Sequence, residues 1–339
     1  MAVVVVGAGI VGASVAYHLA RRGVAVTLVE RDARPAAGVT GLSFAWIGNA
    51  GGEWPGGAED LRGPVLDDHR RLEAELPGVA VRWTGSLRWG DGHLGGNVVG
   101  RKEIRALEPR LRTPPEWAAH IPSDGGVDAP ALTEALVRGA RALGARVLLG
   151  TPVTALSVER GRVTGVVTPA GCHTATTVVL AAGTGSAALG APLGVALPVA
   201  ASPAFLLRLA APPGLVNGVV ATPEFEVREV ADGCLLMTLP PEGERAGERL
   251  ARHGVRLLRE AFLGAEPCHV VGYGVGARPL PERGPLLGPL TPDGSLYAAV
   301  LHPGVTLAPT VGRLVAHELA TGEPVAELRR CRPRVAGLG

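Results

Sequence analysis

Four residues near the start of the chain carry its first recognisable chemistry. Gly7, Gly9 and Gly12 stand in Gly7-Ala8-Gly9-Ile10-Val11-Gly12, and Glu30 follows Gly12 by 18 residues. In a G-x-G-x-x-G turn the first glycine permits the tight bend, and the second lets backbone amides approach a pyrophosphate. The third allows a helix to pack close to a strand. The positive end of that helix then faces the phosphates. A carboxylate at Glu30 can accept both hydroxyl protons of a ribose and repels a 2′-phosphate, which disfavours NADP.

The elements needed to hold these groups are legible around them. Val3–Val6 is a short β-branched run of the kind found in strands covered on both faces. Residues 13–22 read as a helix closed by Gly23, and 24–29 as a second strand. Tyr17 and His18 fall on that helix as packing residues. Strand, glycine turn, helix, strand and terminal acid form a complete βαβ unit, so a dinucleotide is expected here.

The unit alone leaves FAD and NAD open. An NAD enzyme would continue with further βαβ units, whereas this chain leaves the pattern at Arg31 and enters a Gly-rich stretch, 38–46. Nucleotide-domain signals return only near Ala129. A helix is expected over 132–143, a strand over 146–149, a hairpin over 153–158 and 163–168, and a buried strand over 177–182. Near the end a strand at 295–300 leads through His302-Pro303-Gly304 into a helix over about 305–319. A nucleotide domain assembled from separated segments suits a long cofactor such as FAD.

Taken together, GAGIVGASVAYHLARRGVAVTLVERD, LTEALVRGARALGARVLLGTPVTAL, VVLAAGTGS, GARPLPERGPLLGPL and LYAAVLHPGVTLAPTVGRLVAHELATG resemble the D-amino acid oxidase (DAO) family of FAD-dependent oxidoreductases. Glycine oxidase and sarcosine oxidase are among its members. The resemblance is weakest over 50–125 and 196–270. It implies that Gly7, Gly9, Ile10, Val11 and Gly12 hold the pyrophosphate, with Glu30 and neighbouring Arg31 at the adenosine ribose. Val153 meets the adenine, and Ala181, Ala182 and Gly183 line the nucleotide side. Thr40 and Ser43 lie beside pyrophosphate and flavin. Gly304, Val305, Thr306 and Leu307 offer amides to the flavin pyrimidine edge, where a helix N-terminus stabilises negative charge. Relatives with covalent flavin commonly use Cys or His; neither occurs over 276–290, so non-covalent FAD is expected.

On the substrate side the resemblance makes Arg278 the clamp for a substrate carboxylate, a task suited to a planar, bidentate guanidinium. The implied reaction oxidises the C–N bond of a D-amino acid, glycine or an N-methyl amino acid. Hydride passes from the Cα–H of the neutral amine to flavin N5, and water hydrolyses the imine. Dioxygen or another acceptor then takes the electrons. His302 reads equally as a group near the flavin or as a polar residue satisfying its turn. Tyr273 reads as core rather than pocket wall, and Cys268 and His269 as strand-edge residues. Two alternatives share the fold: a dehydrogenase of a 2-hydroxy acid or one using a non-oxygen acceptor, and a flavin-binding subunit with little catalysis. A plain NAD-binding module is a third.

The expected fold is α/β. A Rossmann-like FAD-binding domain comprises 1–60, 126–195 and 271–339. A smaller α+β substrate domain with a mainly antiparallel sheet comprises 61–125 and 196–270. There, helices are expected over 67–76 and 247–263. Strands are expected over 83–89, 204–209, 225–230 and 234–238. Departures from the family are the low aromatic content (4%), the Gly-rich 48–57 and Pro303.

Composition limits the other possibilities. The 339 residues carry a net charge of +2, so no basic field argues for nucleic acid. Glycine (49) and proline (29) approach a quarter of the chain, while 47% apolar residues indicate a globule rich in turns. Lys102 is the only lysine, a coding bias toward arginine. Cys172, Cys234, Cys268 and Cys331 show no C-x-x-C spacing, so neither a metal site nor a disulfide framework is expected, and a reducing cytoplasm fits. Residues 163–207 lack Asp, Glu, Lys and Arg, yet Gly, Pro and Thr interrupt them too often for a membrane span. A homo- or hetero-oligomer is compatible with all of this.

Overall fold

A computed structural model describes residues 1–50, 54–90, 95–240 and 247–334. Residues 51–53 of the Gly-rich 48–57 stretch, and 335–339 of the expected FAD-binding segment, lie outside these.

The opening strand Ala2–Val6 lies near the middle of a six-stranded sheet. Ala25–Val29 and then Arg146–Leu148 extend it on one side. Thr177–Leu180, Leu296–Val300 and Leu286–Pro289 extend it on the other. All pairings are parallel except the last, which is antiparallel. Val3, Val4 and Val5 are fully buried, as a strand covered on both faces requires.

Three helices cover one face. The opening helix Ile10–Arg21 packs between Ala129–Ala142 and the last helix, Gly304–Thr321. Asp128 caps the middle helix by accepting from the Ala131 amide at 3.1 Å. The opening and last helices approach closely because Gly312 lacks a side chain. A Cβ there would stand 2.2 Å from Ser14 Oγ, whose hydroxyl donates to the Ala308 carbonyl at 2.7 Å. Tyr17 and His18 are buried in this layer, as expected.

Pro309 stands inside the last helix and has no N–H for the Val305 carbonyl. His69, on the helix Val65–Glu75, compensates by hydrogen bonding at that turn, its Nε2 donating to the Thr306 carbonyl at 3.1 Å. Asp68 of the same helix pairs with Arg313 at 3.0 Å. The helix expected over 67–76 in the substrate domain therefore packs with the nucleotide sheet layer. Its apolar residues Val65 and Leu72 belong to that core.

The second sheet has eight strands in the order His269–Pro281, Val199–Ala210, Cys234–Leu239, Glu226–Ala231, Val219–Ala221, Ser86–Arg88, Trp117–Ile121, Asn97–Gly100. Every pairing is antiparallel except Val219–Ala221 with Ser86–Arg88. The helix Gly247–Ala261 covers one face, with Leu250, Leu257 and Leu258 buried. The strand expected over 83–89 is shorter, Ser86–Arg88, because Gly85 turns the chain at φ +75°. The expected division at 270/271 falls inside the strand His269–Pro281, which pairs with Val199–Ala210 as far as Pro281. Tyr273 on this edge strand is 47% exposed, not core: alternate residues Val271, Tyr273 and Val275 face outward.

Burial of two imidazoles gives an acid liability. His18 and His69 are 3% and 1% exposed, and loss of hydration holds each near a pKa of about 4, below the usual 6.5. The unfolded chain takes up these protons near pH 6.5 and the folded chain only near 4. Stability is therefore full above pH 6.5, falls between 6.5 and 4, and changes no further below that on their account. The expected loss is about 3 kcal/mol per histidine. Urea unfolding across this window, with His18→Gln flattening part of the slope, checks it; a midpoint independent of pH would refute it.

Candidate functional site

The nucleotide end is built by the opening turn. Gly7 has φ +103°, and a Cβ there would lie 2.6 Å from the Ala181 carbonyl oxygen. A Cβ at Gly12 would lie 1.9 Å from the Gly7 carbonyl oxygen, so turn and helix meet backbone to backbone. The Ile10 amide donates to Thr40 Oγ1 at 3.2 Å, which ties the 3-10 turn Val39–Leu42 to the helix start. The remaining first-turn amides of such a helix have no partner within it. Glu30 ends the second strand with its carboxylate already oriented. Oε2 accepts from the Ala8 amide at 2.6 Å and Oε1 from the Asp32 amide at 3.1 Å. Lone pairs remain for a ribose. The Thr151 amide donates to the Glu30 carbonyl at 2.7 Å and brings Val153 to the same wall.

The middle of the site is where two helix starts converge. A Cβ on Gly304 would sit 3.8 Å from Val11 Cγ2, so the opening and last helices point their positive ends into one space. Thr306 Oγ1 donates to the Trp46 carbonyl at 2.9 Å, fixing the last helix to the strand Trp46–Ile47. Ser43 Oγ accepts from the Ala45 amide at 3.1 Å, where Ala45 adopts φ +55°.

The substrate end is a product of sheet register. Ala119, Arg88, Ala221, Glu226, Thr238 and Leu206 are partners in one row across five pairings. Register partners share a face. Ser202, four residues before Leu206, shares that face and pairs with Arg278. Arg278 Nη2 donates to Ser202 Oγ at 3.0 Å and to the Pro203 carbonyl at 3.3 Å, while its buried Nε has no partner. Its fork is held from one side and open on the other. His302 stands nearby; burial first, and then the Arg278 charge, push its pKa down to about 4, so it is neutral at physiological pH. Both readings of this residue are thereby narrowed to a neutral imidazole on the cavity wall.

Further residues here escaped the sequence reading. Arg88 lies over the Trp46 ring, 5.4 Å from its centroid. Asp124 Oδ2 accepts from Trp46 Nε1 at 2.9 Å and Ser86 Oγ at 2.7 Å, and burial raises its carboxyl. Arg228 is 2% exposed and donates to the Phe44 carbonyl at 2.8 Å and the Val127 carbonyl at 2.6 Å, pinning the 44–45 segment over the sheet. The available signal was Glu226 and Arg228 at alternate positions of one strand, which places both on the same face.

One cavity of about 850 Å³ joins the three regions, a volume in the range of ligand sites. Its wall includes Gly7, Gly9, Ile10, Val11, Glu30, Arg31, Thr40, Ser43, Val153, Ala181, Ala182, Gly183, Gly304, Val305 and Thr306, then Arg278 and His302. Two expected contacts do not reach it. Gly12 acts beneath the wall through close packing. Leu307 is fully buried, and its amide already donates to the Pro303 carbonyl at 3.3 Å, so it offers nothing to a ligand. An elongated dinucleotide fits these surroundings: a side-chain-free cradle at Gly7 and Gly12, a carboxylate for ribose, and two helix starts for negative charge.

Comparison with known proteins agrees. The family described as FAD dependent oxidoreductase (DAO) matches residues 2–318. The chain is 30% identical to glycine oxidase of Pseudomonas aeruginosa over 366 residues, covering 96% of each chain. It is 41% identical to D-amino acid dehydrogenase of Bradyrhizobium diazoefficiens over 105 residues, 30% of this chain and 25% of that protein. The fold is shared with the crystal structures of glycine oxidase from Bacillus cereus and from Geobacillus kaustophilus. Each has a TM-score of 0.85, at 22% and 23% identity, with coverage of 96% and 97% of both chains respectively. Glycine cradle, ribose carboxylate and near full-length family match lead to one conclusion: the chain belongs to the DAO family of FAD-dependent oxidoreductases.

Proposed function

We propose that this protein oxidises the C–N bond of a small amino acid or amine, with Arg278 holding the substrate carboxylate and FAD bound non-covalently along the cavity. The observation that carries the reading is the single cavity running from the Gly7–Glu30 cradle to the open side of the Arg278 fork. Gly7, Gly9, Ile10, Val11 and Thr40 surround the pyrophosphate region, and Glu30 with Arg31 the ribose. Ser43, Val153 and Ala181 to Gly183 complete that wall. Gly304 to Thr306 offer the last helix's first amides at the redox end.

Bound FAD supplies the two-electron acceptor for the substrate Cα–H. The chain's own task is placement. The Arg278 fork fixes the carboxylate and so the orientation of Cα, an arrangement whose value is chiefly entropic. Neutral His302 leaves Arg278 without a competing acid and can accept a hydrogen bond from a substrate amine. Phe44, Trp46 and Leu206 add apolar surface to the cavity wall, which disfavours water there.

No helix among the described residues is long and apolar enough to cross a membrane. The four cysteines are free, which supports the reading of a reducing, cytoplasmic setting. Dioxygen or another acceptor completes turnover, and assembly into oligomers is compatible with the reading.

The test is an anaerobic spectrum of the purified yellow protein challenged with D-amino acids, glycine, N-methyl amino acids and 2-hydroxy acids. Bleaching of the flavin by an amino acid is expected. Bleaching by hydroxy acids alone, or by none of the panel, refutes the reading.

A further inference from the structure

The substrate end carries one charge that the proposed reaction leaves unused. Glu226 lines the cavity on the same sheet face as Arg88 and Arg278. Among the described residues its carboxylate has no hydrogen bond or ion pair with another side chain. Burial pushes that carboxyl up, and the two guanidinium groups draw it back toward ionisation. Arg88 is engaged by the Trp46 ring, and it too has no carboxylate pair among the described residues. The other titratable neighbours are accounted for: Asp124 is held by Trp46 and Ser86, and His302 is neutral.

The geometry points to Glu226 as the residue that sets the substrate class: amino acids with a single carboxylate are admitted, and those with two are turned away. This rests on the reading of Arg278 as the carboxylate clamp. With the first carboxylate on Arg278, a guanidinium at Arg88 would be the natural host for a second. Glu226 stands in the same row as Arg88 with Ala221 between them, so a second carboxylate brought to Arg88 approaches a like charge on the same face of a half-buried site. Discrimination of this kind depends on a repulsive element as much as on an attractive one.

Calorimetric titration of the flavin-loaded protein with butyrate and succinate, acids of equal chain length that differ by one carboxylate, tests this without turnover. As the pH is raised and Glu226 ionises, the protein should come to bind butyrate at least about ten-fold more tightly than succinate. Glu226→Gln keeps size and shape and removes the charge. Succinate should then bind at least about ten-fold more tightly than before, with butyrate little changed. Adding Arg88→Ala should abolish that gain. If Glu226→Gln shifts both acids equally, or neither, the assignment of Glu226 is overturned while the clamp stands. If neither acid binds the protein or its variants with flavin in place, the clamp reading itself fails and takes this inference with it.

Discussion

Replacement of Arg278 by alanine is expected to lower kcat/KM for the best amino-acid substrate by about a hundred-fold or more. Most of the loss should appear in KM. The guanidinium is held from one side by Ser202 and the Pro203 carbonyl, with Nε buried and unpartnered, which leaves donors of the fork for a carboxylate. Losing it removes a charge-assisted pair in a half-buried site and the orientation that the planar fork imposes. Arg278→Lys separates these two contributions. It keeps the charge but not the bidentate geometry, so KM should recover only in part, and the loss that remains measures the fork's orientation. Steady-state kinetics of the three proteins decides the matter. Unchanged kinetics in Arg278→Ala would move the carboxylate elsewhere, with Arg88 as the other guanidinium on that face.

The second large effect is expected at Gly12, although it never touches the cavity. A Cβ at this position stands 1.9 Å from the Gly7 carbonyl oxygen and 3.2 Å from Ala181 Cβ. The obstacle is backbone, so Gly12→Ala must push the opening helix away from the turn that shapes the pyrophosphate cradle. The cost is about 1–3 kcal/mol for overpacking alone, with further loss as the cradle distorts. Purified Gly12→Ala should be colourless or weakly yellow with a lowered Tm. Gly9→Ala is the informative contrast. Its Cβ would meet only Thr40 Oγ1, at 3.3 Å, a side-chain atom that can yield. That variant should fold nearly as well and lose flavin through intrusion on the cavity wall. Full flavin content and an unshifted Tm in Gly12→Ala would refute the argument.

Acid sensitivity provides a check of a different kind, because His18 and His69 report on the helical layer and not on the site. His69 is informative: its imidazole compensates for the missing Pro309 amide one turn into the helix whose start faces the cavity. In the folded chain His69 takes up its proton only near pH 4, so flavin release through a loosened layer is expected there, at the acid end of the window in which stability falls.

The amino-acid sequence by itself determined the nucleotide end. Gly7, Gly9, Gly12 and Glu30 act through turn geometry, helix start and strand end, and all of that lies within thirty contiguous residues. Constraints on φ and close approach are properties of neighbours along the chain, so their spacing is readable without knowing what lies across the molecule. The alternating and helical periodicities likewise placed most strands and helices close to where they occur. At the substrate end the family resemblance singled out Arg278, and tertiary structure decided what surrounds it. Arg88, Glu226, Thr238 and Arg278 share a face only because strands distant in sequence pair in one register, and a slip by one residue would send each of these side chains to the opposite side. Packing also carried the helix Val65–Glu75 to the nucleotide layer and spent the Leu307 amide inside its own helix. Such outcomes depend on which partner a group meets across space, and no local pattern in the chain encodes that choice.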